Sequence, residues 1–133
     1  MCGIAGSENR SLTKDLIDNL QHRGQSSSCD GNFGHVLHSV VGEVEQPLRG
    51  NGVLIANCEI YNWEELAEKY SFEVENDAEL LLKMVDNMEF EKVLKEIDGV
   101  YAFAYRHGQH IKIARDLLGV KPIIPNSLTL YSL

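Results

Sequence analysis

Four consecutive apolar residues, Val53-Leu54-Ile55-Ala56, constrain this chain more than any other stretch. A strand with one wet face alternates apolar and polar side chains. An unbroken apolar run marks a strand buried on both faces. Such a strand lies between layers of other structure. The rest of the sequence offers those layers. Residues 2–6 read as a short buried strand, and residues 34–41 as another, apolar and rich in β-branched side chains. Leu12, Leu16, Ile17 and Leu20 form a helical stripe. Residues 21–32 are polar and punctuated by glycine, which predicts a loop, and residues 46–52 predict a turn. Asn62 and Asn76, each with a Glu three residues on, mark helix starts at Trp63 and Asp77. Helical character continues over 90–97 until Asp98-Gly99 stops it, and 101–105 with 110–114 predict a hairpin around His107-Gly108. Strands, then helices, then strands give a layered α+β domain.

The length, 133 residues, suits one domain, and 44% hydrophobic residues suffice for a core. No run approaches the ~18 apolar residues of a membrane span, and the Met1-Cys2-Gly3 start lacks the features of a secretion signal. A soluble, cytoplasmic protein is expected. Twenty acidic and 12 basic residues leave a net charge of −8, which argues against a nucleic-acid surface. Three cysteines, Cys2, Cys29 and Cys58, are an odd number without a Cys-x-x-Cys pair, so neither a disulfide framework nor a metal site is expected. His35 and His38, three apart on an expected strand, point to opposite faces.

The chemistry concentrates around Cys2. Removal of Met1 would leave a thiol and a free α-amine on one residue, a nucleophile with its own base. Asn57-Cys58-Glu59 follows the buried strand directly. The Asn57 amide and the Cys58 N–H are candidate oxyanion donors. Glu59 and Asp77 are candidate carboxylates for an ammonium group. Arg23 sits in a glycine-punctuated loop, where substrate contacts are common. Taken singly, each has an ordinary structural reading: a turn, a helix cap, a solvated charge. For Arg115-Asp116 the structural reading, a tie between the second sheet and the Cys2 strand, is preferred.

In this order the stretches resemble a known family. Met1-Cys2-Gly3-Ile4-Ala5-Gly6, His22-Arg23-Gly24-Gln25, Gln46-Pro47-Leu48, Asn57-Cys58-Glu59-Ile60-Tyr61-Asn62, Asn76-Asp77-Ala78-Glu79, Asp98-Gly99-Val100-Tyr101-Ala102-Phe103 and Arg115-Asp116 through Pro122 run across nearly the whole chain. The chain resembles the glutaminase domain of class II glutamine amidotransferases, among the N-terminal nucleophile hydrolases, and most of all the asparagine synthetase branch. The resemblance implies an αββα sandwich of two stacked antiparallel sheets. It implies that Cys2 attacks the side-chain amide of L-glutamine, that Asn57 and Cys58 N–H hold the oxyanion, and that Glu59 and Asp77 grip the α-ammonium. It implies no cofactor in this domain. ATP and Mg belong to a synthetase domain or subunit that takes the ammonia, and a homodimer is a further possible partner.

The sequence departs from the family in three places. The family carries Arg after a Gly-His-x run to bind the glutamine carboxylate. Here Gly34-His35-Val36 leads to Leu37 and His38, which leaves His38 as a pH-dependent substitute. Cys58 and Cys29 stand where the family commonly has Gly. After Pro122 the family continues, whereas residues 123–133 are expected to supply one strand at most. Residues 1–133 therefore read as a partial glutaminase domain, truncated at its C-terminus and without a synthetase domain. A non-catalytic domain that binds glutamine or a partner is the alternative function, and a thiol redox or metal protein a remoter one.

Overall fold

The computed structural model describes residues 2–38 and 44–125, and the backbone of 129–132. In chain order the elements are β1 (Gly3–Ser7), α1 (Arg10–Leu20), β2 (Ser26–Asp30), β3 (Phe33–Leu37), β4 (Leu48–Arg49), β5 (Val53–Ile60), α2 (Trp63–Tyr70), α3 (Asp77–Asn87), α4 (Phe90–Glu96), β6 (Gly99–His107), β7 (His110–Arg115), β8 (Ile123–Pro125) and β9 (Thr129–Ser132). They form two antiparallel sheets. One has the order β2-β3-β1-β9-β8 and the other β4-β5-β6-β7.

The apolar run of β5 explains the layering. Its odd residues, Val53 and Ile55, pack with Ile4, Phe33 and Ala104 between the sheets. Its even residues, Leu54, Ala56 and Ile60, join Leu66, Leu80, Leu81, Met84 and Val93 beneath the helices. Helix α1 covers the other sheet, with Ile17 and Leu20 on Ala5 and Val36. The order of layers is helix, sheet, sheet, helices, as expected. Burial of this apolar surface stabilises the stack by roughly 25 cal/mol per Å² removed from water.

Helix starts follow local chemistry in two cases. Asn9 caps α1 by accepting from Ser11 and Leu12 N–H. Asn76 accepts from Glu79 N–H at 2.9 Å, and the Glu79 carboxylate reaches back to Glu75 N–H at 2.8 Å. Asn62 precedes α2 but does not cap it with its side chain. Its amide accepts from Asp98 N–H and donates to the Glu96 carbonyl, both at 2.9 Å. A distant chain segment outcompetes the local helix end.

Two further expectations are corrected. Residues 26–30, expected within a loop, form the edge strand β2. Its sequence, Ser-Ser-Ser-Cys-Asp, has no β preference of its own. It is a strand because β3 offers a full ladder from Leu37 to Phe33. The tail gives two short strands, β8 and β9, where one was expected. Pro125 is tolerated because β8 is an edge. The strand expected over 34–41 is β3, Phe33–Leu37, and residues 39–43 of that expectation lie outside the described residues.

His35 is 1% exposed on β3, between Ile4 and Ser28 of the neighbouring strands. Like Phe33 two residues earlier, it faces the second sheet. His38 lies exposed just past the strand. Burial pushes the His35 pKa down to about 4 from an ordinary 6.5. The unfolded chain therefore takes up a proton here that the folded chain refuses, and stability falls as pH drops through that window. Between pH 6.5 and about pH 5 the loss attributable to His35 is about 2 kcal/mol. Urea unfolding at both pH values is expected to show this loss in the wild type and a smaller one in His35→Leu. Equal losses would contradict the assignment.

Candidate active site

Backbone N–H and C=O groups of one residue point to the same side of a strand, and the side alternates along it. In β5 the odd residues face β6, and the ladder continues past the strand end to Tyr61 N–H, which donates to the Asp98 carbonyl at 2.7 Å. The even residues face the other edge. There Leu54 lies opposite Leu48 of β4. Ala56 N–H donates to Gln46 Oε1 at 2.7 Å, and Ile60 N–H donates to Asp77 Oδ2 at 3.0 Å. Cys58 lies between these two, so its N–H points to the same edge, past the end of the β4 ladder. Among the described residues, the edge is filled on either side of Cys58 and open at it. Gly99 lets β6 close in opposite. A Cβ there would sit 2.2 Å from the Glu59 carbonyl oxygen.

Cys2 precedes β1 and is half-buried. Ile4 packs between the sheets and Ala5 against α1, so the alternation carries Cys2 to the inner face. Asn57, 3% exposed, shares the inner-facing register of Val53 and Ile55 on β5, which contacts β1. Cys58 takes the opposite face, beside the Asp77 carboxylate at the start of α3. Burial, and next Asp77, push its thiol pKa well up; Cys2 adds to the rise, and Lys121 opposes it. Cys2, Cys58, Asp77 and Lys121 are therefore electrostatic neighbours. Glu59 is exposed at the end of the same strand. A thiol, a carboxamide and a free-edge N–H in one region are the parts of an acyl-transfer site.

Arg23 and His38 meet elsewhere. Together with His22, Gly24 and Gln25 they line a cavity of about 340 Å³. Gly24 holds the wall close to β3, where a Cβ would sit 2.2 Å from the Leu37 carbonyl oxygen. The cavity borders the Cys2 strand, since a Cβ on Gly3 would lie 3.6 Å from Arg23 Cδ. The sequence-predicted residues thus form one group around Cys2 and Asp77 and a second along the Arg23 side, with Glu59 at the rim.

Three contributors were not predicted as parts of the site. Lys121 is one. Gln46, read as part of a turn, is buried with its side chain along β5. Asp116 is buried and accepts from Val120 and Lys121 N–H at 2.9 and 3.0 Å, and from Tyr101 N–H at 3.3 Å. Burial opposes its charge, but these N–H groups and that of Gly119 outweigh it and hold the carboxyl below its usual range. Asp116 thus fixes the 116–121 loop to Tyr101, the residue directly across from Cys58. The expected structural role stands, with the tie made to β6 rather than to the Cys2 strand. A buried Gln or Asp next to a Pro or Gly turn is the signal that could have flagged these positions.

Alkylation offers a check on this geometry. With iodoacetamide near neutral pH, the half-buried Cys58 thiol, its pKa pushed well up, is expected to label more slowly than the exposed Cys29. Asp77→Asn is expected to speed Cys58, because loss of the negative charge favours the thiolate. Peptide mapping that finds Cys58 labelled as fast as Cys29 would contradict the arrangement.

Residues 1–129 match the family described as glutamine amidotransferase domain. A relative in Methanocaldococcus jannaschii that bears the name asparagine synthetase (glutamine-hydrolyzing) 1 is 38% identical over 118 residues, covering 84% of this chain and 20% of its own length. The Gallus gallus asparagine synthetase (glutamine-hydrolyzing) is 35% identical over 74 residues, 53% of this chain and 13% of that protein. The chain thus spans about a fifth or less of the length of these relatives. Among solved structures, the glutamine phosphoribosylpyrophosphate amidotransferase of Bacillus subtilis superposes with a TM-score of 0.76 over 98% of this chain and 41% of that chain. At 18% identity the likeness concerns the fold alone, two stacked antiparallel sheets between helices. A family match along nearly the whole sequence settles the assignment: the chain belongs to the glutamine amidotransferase domain family, a family of enzymes.

Proposed function

We propose that this domain hydrolyses the side-chain amide of glutamine with Cys2 as nucleophile and supplies the ammonia to an asparagine synthetase-type partner domain or subunit. The observation that carries the reading is the position on the β5 edge left open among the described residues, Cys58, in the electrostatic neighbourhood of Cys2. The Cys2 sulfur forms a bond to the amide carbon, and the carbonyl oxygen becomes an oxyanion. Asn57 Nδ2–H and Cys58 N–H donate to it. With Met1 removed, the Cys2 α-amine takes the thiol proton and passes it to the leaving nitrogen. The C–N bond breaks, ammonia departs, and a thioester remains. Water then cleaves the C–S bond, returning the thiol and releasing glutamate.

The same reading distributes the substrate's charges. Asp77 and Glu59 take the α-ammonium. Asp77 is already oriented by Ile60 N–H and by its place in the first turn of α3. Arg23, with His38, takes the α-carboxylate from the neighbouring cavity. The domain itself needs no cofactor. ATP and Mg serve the partner, in keeping with relatives named as asparagine synthetases and several times longer than this chain.

One observation favours a second reading, a non-catalytic binding domain. Continued register places Leu37 opposite Cys2, so the position directly across from the nucleophile is apolar. Mass spectrometry of the intact amino terminus separates the two. A free Cys2 supports the enzyme and a retained Met1 the binding domain.

Glutamate release from glutamine is expected to vanish in Cys2→Ala; turnover that survives would refute the nucleophile. Asn57→Ala is expected to lower kcat by about 10² to 10³. Arg23→Ala is expected to act mainly on KM, raising it about tenfold through a lost charge-assisted contact. A fall in kcat alone would remove Arg23 from carboxylate binding.

A further inference from the structure

Gln46 is 5% exposed, and both ends of its side-chain amide are used on one residue. Nε2 donates to the Ala56 carbonyl at 3.0 Å, and Oε1 accepts from Ala56 N–H at 2.7 Å. A carboxamide carries the donor and acceptor of a peptide group. Here it serves as a strand partner one residue long. The backbone of Gln46 is tied in turn to the first sheet, because the Ser28 hydroxyl donates to its carbonyl. Gln46 therefore bridges β2 and β5.

The place of this clamp matters. The β4 ladder reaches Leu54, Gln46 takes Ala56, and Asp77 takes Ile60. A backbone strand running on in place of the side chain would also pair with Cys58. A side chain ends the pairing at Ala56 and, among the described residues, leaves the next edge N–H without a partner. It also fixes the residue immediately before Asn57. The clamp thus sets the orientation of two consecutive groups, the Asn57 side chain inward and the Cys58 N–H along the edge.

We infer that Gln46 is a positioning residue for the oxyanion site, holding the Asn57 and Cys58 donors in register with Cys2 without touching substrate. This rests on the reading that those donors meet the oxyanion. A donor displaced by an ångström loses much of its stabilisation of the transition state and little of ground-state binding. A merely structural Gln46 would change stability and leave that selectivity intact.

The test compares two ligands. The γ-aldehyde analogue of glutamine adds to the Cys2 thiol: a C–S bond forms, the thiol proton passes to oxygen, and the hemithioacetal oxygen occupies the oxyanion position. Glutamate binds without that bond. In Gln46→Met, the Kd for the aldehyde and 1/kcat for glutamine are both expected to rise about tenfold, while KM and the glutamate Kd stay within about twofold. Gln46→Glu keeps the acceptor for Ala56 N–H and loses the donor, and is read by the same ratio should the Met variant fail to fold. Aldehyde and glutamate affinities that fall in parallel, or neither falling, would overturn the inference. A wild-type chain that forms no aldehyde adduct would overturn the underlying reading and the inference with it.

Discussion

Strand β5 offers hydrogen-bonding groups along two edges, and one neighbouring strand cannot satisfy both. Antiparallel β6 takes every second residue, from Val53 to the Asp98 contact beyond the strand end. The alternate residues need partners of another kind. They find a short strand at Leu54, a carboxamide at Ala56 and a carboxylate at Ile60. The layers on both faces exclude water and make these partners obligatory. The exception is Cys58, and the candidate chemistry gathers around it. The candidate site is less an addition to the fold than the place where, among the described residues, the edge of a buried strand is left unfilled.

The polar groups around it follow a consistent energetic pattern. A buried polar group that lacks a partner costs about 1–3 kcal/mol. Asp116 meets that cost with backbone N–H groups from its own loop and from Tyr101. Gln46 meets it by pairing with Ala56. His35 stays neutral instead, and so keeps charge out of the space between the sheets. Cys58 likewise keeps its proton, through burial and the nearby Asp77 carboxylate. Lys121, carried on the loop that Asp116 organises, partly offsets the negative field of Asp77.

The layered fold was legible because its signals are local and periodic. The apolar run of β5, the stripe of α1, the Asn76 cap and the β6–β7 hairpin each follow from residues close in sequence. Strand β2 was not legible, since a serine run becomes a strand only when a neighbour supplies the ladder. Asn62 misled for the opposite reason, as its cap signal is intact but residues 96 and 98 claim the side chain. For the candidate site, Cys2, Asn57, Cys58, Glu59 and Asp77 stood out as residue types in a familiar order. The side-chain ties of Gln46 and Asp116 were not readable, because they depend on partners 10 and 15 residues away.

The central claim is that Cys2 carries the acyl group of glutamine, and a trapping experiment tests it most directly. The chain is mixed with isotopically labelled glutamine, quenched in acid within the first turnover, and digested for peptide mapping. The account predicts the γ-glutamyl label on the peptide that begins at Cys2, with Cys29 and Cys58 unmodified. Label on either of those thiols, or a free-amine Cys2 that acquires none while glutamate accumulates, would contradict it.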